Sequence, residues 1–340
     1  MKPGEEDVYI EWRWNTSGRN IRQGEPPRIA FEELEELTKG HFRVKMFYSG
    51  ALGSVEEGPD LVGSGLYESH QCSLGNYPSL TVADLPGIPF MAIPDQEKNS
   101  SWATWYIDQP LPMKAWKDKN LYPFFVWTMG ELYLWTRDLR AKSVADLKGV
   151  MCATKGSQAQ WVEDVGMVPV IMPISRATEA LQRGMVDAAI TWPEMGHIVK
   201  WHEEKLTQYC LQQTVGGMVS VSAVNLDAWN ELPDYMKEIF AKFRRQRFPQ
   251  ICREYVEGRN DPEFEGSYGW EMKQAGVDFY KFAPEEASKY AGAAKGSFEK
   301  WIETVVTTTR ASRAEVVTLM KSAIAKRNEM SGDTFWYQPE

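Results

Sequence analysis

Strand-like and helix-like stretches alternate along this chain from its start, and that alternation constrains its folding more tightly than any other feature. Val8-Tyr9-Ile10-Glu11-Trp12 reads as a buried strand leading into the polar segment Asn15-Thr16-Ser17-Gly18. Pro26-Pro27 opens a helix, Ala30, Leu34 and Leu37 recur on one face of it, and Gly40 closes it. Val44, Met46 and Tyr48 alternate with Lys45 and Phe47 as a second strand ending at Ser49-Gly50. A helix over 53–65 and a strand over 70–74, running into Gly75-Asn76-Tyr77-Pro78, continue the series. Such an order predicts an α/β fold with a largely parallel sheet.

The pattern repeats further on. A helix is expected over 101–119, a strand over 122–127 and, after the lead-in 144–148, a strand in the apolar run Val150-Met151-Cys152-Ala153. Helix 158–165 and strand 168–172 follow; Ser175 is read as the cap of a helix that stops at Gly184, and 186–191 as the next strand. Trp192-Pro193-Glu194 stands at that strand's carboxyl end, the place where open α/β sheets receive ligands. Beyond a β-rich run over 218–224, a long amphipathic helix is expected over 227–243, and further helices over 284–295, 298–307 and 314–325.

A chain of 340 residues exceeds one ordinary core and suits two domains. No apolar run approaches the roughly 20 residues of a membrane span. Lys+Arg 38 against Asp+Glu 47 leaves −9 with no basic stripe, which argues against a nucleic-acid partner. The 14 Trp, 14 Tyr and 14 Phe are mostly expected in the core, Trp12 and Trp127 among them. Cys72, Cys152, Cys210 and Cys252 lack CxxC spacing, and four histidines make no zinc constellation, so neither a metal nor a cofactor is expected. Any pair of these thiols remains open to a disulfide. The opening MKPGEEDVYIEW has no apolar signal-peptide core, so a cytoplasmic protein and a mature exported one are both open. GxSxG, GxxxxGK[ST] and HExxH are all missing, which argues against an enzyme.

The segments FRVKMFYSGALGSVEEGPDLVGSG (42–65), ADLPGIPF (83–90), SVADLKGVMCATKG (143–156), ATEALQRGMVDAAI (177–190) and VNLDAWNELPDYMKEIF (224–240) carry a resemblance. In order and spacing they resemble the solute-binding proteins of tripartite ATP-independent periplasmic (TRAP) transporters, of the DctP type, over roughly residues 7–325. The resemblance implies a two-lobed periplasmic-binding-protein fold with crossing strands and a long hinge helix. Lobe I is then expected at 5–126 plus 213–250, and lobe II at 127–212 plus 251–330. It further implies hinge closure on a small ligand held between the lobes, delivery to a TRAP membrane permease, and export to the periplasm with the signal peptide removed.

The sequence departs from that family where the family usually holds a ligand carboxylate. The strand pattern approximating LKGxKxRxPxS is here LKGVMCATKG, which puts Ala153 where the resemblance implies arginine, the residue whose forked donors match a carboxylate. A second customary arginine falls within Met129–Leu134 on Leu132 or Tyr133. The Glu-Trp pair through which some members hold a metal is replaced by Ala189-Ile190-Thr191-Trp192. The ligand is therefore expected not to be led by a carboxylate. Glu131 and Glu194 with ring faces suit a small amine or quaternary ammonium, and an aromatic compound fits nearly as well. The expected hydrogen-bonding residues are Asn15, Asn76 and Thr154, and the expected walls Trp14, Tyr77, Tyr133 and Trp192, with Ala153 and Thr191 beside them. The alternatives are an organic-acid receptor using Lys155 or Arg137, and a two-lobed enzyme using Glu131 or Glu194.

Overall fold

The computed structural model describes residues 8–16, 25–54, 56–256 and 259–340. Its strands are β1 (Ile10–Asn15), β2 (Phe42–Phe47), β3 (Ser69–Ser73), β4 (Leu121–Thr136), β5 (Met151–Thr154), β6 (Val168–Ile171), β7 (Ala188–Thr191), β8 (Tyr209–Asn225) and β9 (Asp278–Tyr280). Its helices are α1 (Glu25–Leu37), α2 (Gly58–Gly63), α3 (Gln96–Ile107), α4 (Pro110–Lys117), α5 (Gly156–Asp164), α6 (Ile174–Gln182) and α7 (Pro193–Ile198). They continue with α8 (Leu226–Asn230), α9 (Asp234–Gln246), α10 (Phe248–Val256), α11 (Tyr268–Gln274), α12 (Pro284–Gly292), α13 (Lys295–Thr309) and α14 (Arg313–Ser331). The chain divides into two compact units, one of Met1–Ala83, Asp95–Thr128 and Val219–Tyr255, the other of Asp84–Pro94, Met129–Met218 and Val256–Glu340. The strands β4 and β8 contribute residues to both.

In the first unit β1 lies parallel to β2 and to β3, and β3 is antiparallel to β8 from Ser69↔Val224 to Ser73↔Ser220. Its core is aromatic: Trp12 meets Phe42 edge-on at 5.0 Å between centroids, and Phe42 meets Phe240 at 4.7 Å. Trp12 and Trp127 are interior, as their apolar strands predict. The buried Arg244 guanidinium reaches the carbonyls of Pro123 and Phe124 and the Asp108 carboxylate at 2.6 Å, so α9 is pinned to β4 by charge-assisted bonds.

In the second unit β5 is parallel to both β6 and β7, while β7 is antiparallel to β4 from Tyr133↔Thr191 to Thr136↔Ala188. The strand β9 pairs with β8. Trp135, Ala177, Leu181, Ala189, Trp201 and Cys210 pack together between this sheet and its helices. All four cysteines are buried free thiols, which closes the question of a disulfide.

Several element boundaries differ from those expected. The first strand extends to Asn15 because its parallel register with β2 holds through Asn15↔Phe47; Ser17 and Gly18 lie outside the described residues. The helix expected over 53–65 shrinks to α2, since Gly53 sits at φ +151 and Pro59 favours a helix start one residue into α2. The span 101–119 is two helices: Gln109, preceding Pro110, is extended (ψ 152), as the residue before proline prefers. The span 227–243 is likewise split, with Pro233 extended ahead of α9. Helix α6 starts at Ile174 with Pro173 at its cap, so Ser175 stands inside its first turn. The strands expected over 122–127 and 218–224 are the beginning and the end, respectively, of longer ones, β4 and β8.

Candidate ligand-binding site

Parallel strands β5 and β7 end side by side in the second unit, and their carboxyl ends open into a cavity, as an open α/β sheet favours. Ala153 and Thr154 come from β5, Lys155 and Gln158 from the start of α5, and Ile190, Thr191 and Trp192 from the end of β7. Leu132, Met172, Ile174 and Met218 close the walls. The free space is about 10 Å³, room for a single water, and the flexible side chains of Met172 and Met218 are among its walls.

The walls are mostly apolar, and Thr154, Lys155, Gln158 and Thr191 bring the polar groups. Thr154 Oγ1 lies 3.2 Å from Gln158 Oε1. The Thr191 hydroxyl is wholly buried with no hydrogen-bond partner among the described residues, although its carbonyl accepts the Trp135 indole N–H at 2.9 Å. Lys155 occupies the N-cap position of α5, and its ammonium donates to the sulfur of Met218, a weak acceptor. Burial pulls the Lys155 ammonium down to about 8, opposed by the attraction of Asp84. The same burial pushes Asp84 up to about 7, with Lys155 restraining it.

Of the expected residues, Ala153, Thr154, Lys155, Thr191 and Trp192 meet at this cavity. Glu131 and Tyr133 do not line it: they alternate with Leu132 along β4, and the Tyr133 hydroxyl donates to Glu131 at 2.6 Å. Burial raises the Glu131 carboxyl despite that bond. Glu194 is buried in the first turn of α7, where its backbone N–H meets Asn260 at 2.9 Å and its carboxylate lies 4.0 Å from Arg259. Arg137 stands beside Gly184 and the carbonyl of Asp187, at the amino end of β7 and so away from the cavity.

The remaining four residues belong to the first unit. Trp14 is fully buried, its indole N–H bonded to Ser222 Oγ at 2.8 Å, which makes it a core ring. The Asn15 amide is committed to the neighbouring loop, donating to the Gly53 carbonyl and accepting from the Leu52 N–H, and it also contacts His70 at 3.2 Å. Tyr77 is buried against Cys72, and Asn76 is exposed in a short 3-10 turn. Of the two positions expected to replace the second arginine, Leu132 lines the cavity and Tyr133 does not; Gln158, Met172, Ile174, Ile190 and Met218 were not expected there and look like ordinary core residues in one dimension.

Two α/β units with a cavity at the strand ends of one of them are the architecture of the two-lobed periplasmic-binding fold. The fold matches a TRAP periplasmic solute-binding protein of Desulfovibrio salexigens DSM2638 with TM-score 0.79 and 18% identity, over 97% of this chain and 99% of that one. It matches equally a TRAP solute-binding protein of Rhodoferax ferrireducens T118, solved with copurified benzoate (TM-score 0.79, 17% identity, 95% and 99% covered). The chain belongs to the bacterial extracellular solute-binding protein family 7, whose profile matches residues 30–304. A monocarboxylate 2-oxoacid-binding periplasmic protein of Nostoc sp. is 27% identical over 240 residues, 68% of this chain but only 64% of that relative's own length. No helix among the described residues is long and apolar enough to cross a membrane, and no three His, Cys, Asp or Glu among them are grouped to hold a metal.

Proposed function

We propose that this chain is an extracytoplasmic receptor, working in the periplasm, that captures a small aromatic compound and hands it to the membrane permease subunits of a TRAP transporter. The observation that carries the ligand class is the cavity itself: apolar walls that include Trp192, with a few polar groups among them. The family membership and the benzoate held by the Rhodoferax protein support the reading. A quaternary ammonium fits less well, because the cavity carries a lysine that repels a cation and neither Glu131 nor Glu194 lines it. The enzyme alternative finds little support either, since Glu131 is bonded to Tyr133 and Glu194 is buried beside Asn260 and Arg259. The expected division at 5–126 plus 213–250 and 127–212 plus 251–330 is proposed as the functional pair of lobes, with Ala153, Thr154, Lys155, Thr191 and Trp192 as contact residues.

A thermal-shift panel of benzoate, benzamide, choline and succinate tests this. An aromatic compound at a hundredfold excess over its Kd should stabilise the protein by about 2.7 kcal/mol. Stabilisation by choline or succinate alone would overturn the reading.

A further inference from the structure

The cavity of the second unit is lined by hydrogen-bond donors and by no acid. Its polar side chains are one ammonium, Lys155, one amide, Gln158, and the hydroxyls of Thr154 and Thr191. The Thr154 hydroxyl lies 3.2 Å from Gln158 Oε1, which leaves the two N–H donors of that amide for a guest. The Thr191 hydroxyl is wholly buried and bonded to nothing among the described residues. Lys155 gives one of its three N–H groups to the Met218 sulfur, a weak acceptor, and makes an ion pair with no carboxylate among the described residues. It also stands at the N-cap of α5, whose first N–H groups no side chain caps, a place that favours an oxyanion.

A head group entering here meets one positive charge and donors on three side chains, two from the start of α5 and one from the end of β7. Which guest answers buried donors decides which guest is held. A carboxylate suits a guanidinium because both are planar and pair as parallel forks, and that fork is missing where Ala153 stands in β5. An ammonium, an amide and a hydroxyl on separate side chains are not held in one plane. A sulfonate carries one negative charge on three equivalent oxygens that point in three directions, so each donor group can face an oxygen of its own.

We propose that this cavity takes the head group of an aromatic sulfonate, with Lys155, Gln158 and Thr191 each binding one sulfonate oxygen and the Met218 sulfur giving up the ammonium as the ligand enters. The aromatic ring then lies against the apolar walls of Leu132, Ile190 and Trp192. This names the head group within the aromatic reading above and rests on it.

The test is calorimetric titration of the full chain at pH 7.0 with benzenesulfonate, benzoate and benzamide. The wild type should bind benzenesulfonate at least tenfold more tightly than either of the others. Lys155→Gln should abolish the preference over benzamide, and Gln158→Met should cut benzenesulfonate affinity about tenfold while changing benzamide affinity less. Melting curves of the unliganded variants establish that they fold; if one does not, the wild-type order and the other variant decide. Benzoate or benzamide binding as tightly as benzenesulfonate, or a preference that neither substitution moves, would overturn the sulfonate assignment while leaving the aromatic reading standing. Failure of all three compounds to bind the wild type would overturn the two together.

Discussion

At the scale of single residues, Thr191 separates what serves stability from what serves binding. Its hydroxyl is buried at the cavity with no partner among the described residues, a state that costs about 1–3 kcal/mol. Thr191→Val removes the hydroxyl and nearly keeps the shape. The unliganded variant should therefore melt higher, by roughly 1 kcal/mol of stability, while its affinity for a ligand bearing an acceptor oxygen falls about tenfold. Paired melting curves and titrations check both signs, and a loss of stability in the unliganded protein would contradict the assignment. Residue identities at this scale were partly visible in advance. Ala153, Thr154, Lys155, Thr191 and Trp192 stand out because they sit at strand ends next to loops, where chains carry function. Met172 and Met218 do not, because an apolar side chain on a wall and one in a core look alike in a one-dimensional pattern.

At the scale of elements, β1, β3 and the turn between α2 and β3 are tied by one buried imidazole. His70 Nδ1 meets the Tyr67 hydroxyl at 3.0 Å and the Asn15 amide at 3.2 Å. Burial drives the ring down to about 4 from its ordinary 6.5. Between those two values the unfolded chain binds more protons than the folded one, so stability falls as pH drops through that window, by about 3 kcal/mol in all. His70→Gln should flatten this part of the profile of melting midpoint against pH, and an unchanged slope from pH 6.5 to 4 would refute the linkage. The elements themselves were legible wherever period and punctuation agreed: α1, β2, β5 and α5 fall close to where their apolar spacing puts them. Boundaries went astray where proline acts on the residue before it, at Gln109-Pro110, or where ladder pairing carries a strand past its apolar stretch, as in β4 and β8.

At the scale of the whole molecule, capture should register as local protection. Hydrogen exchange with and without an aromatic ligand is expected to slow in peptides covering 151–158, 188–198 and 213–218, which hold the cavity's strand ends and Met218. Uniform slowing across α13 and α14 with none at these peptides would place binding elsewhere. The sequence by itself determined the α/β class, the strand order along the chain and the family, because hydrophobic period, turn residues and motif spacing are local and survive in one dimension. It also marked Ala153 as the position of a lost cation. Only the tertiary structure decided which rings are walls and which are core, that Trp14 and Asn15 are spent on internal bonds, and that the Thr191 hydroxyl is buried at the cavity without a partner among the described residues. Those facts depend on which distant segments share one low-dielectric enclosure. No spacing rule links the residues at 132, 155 and 191.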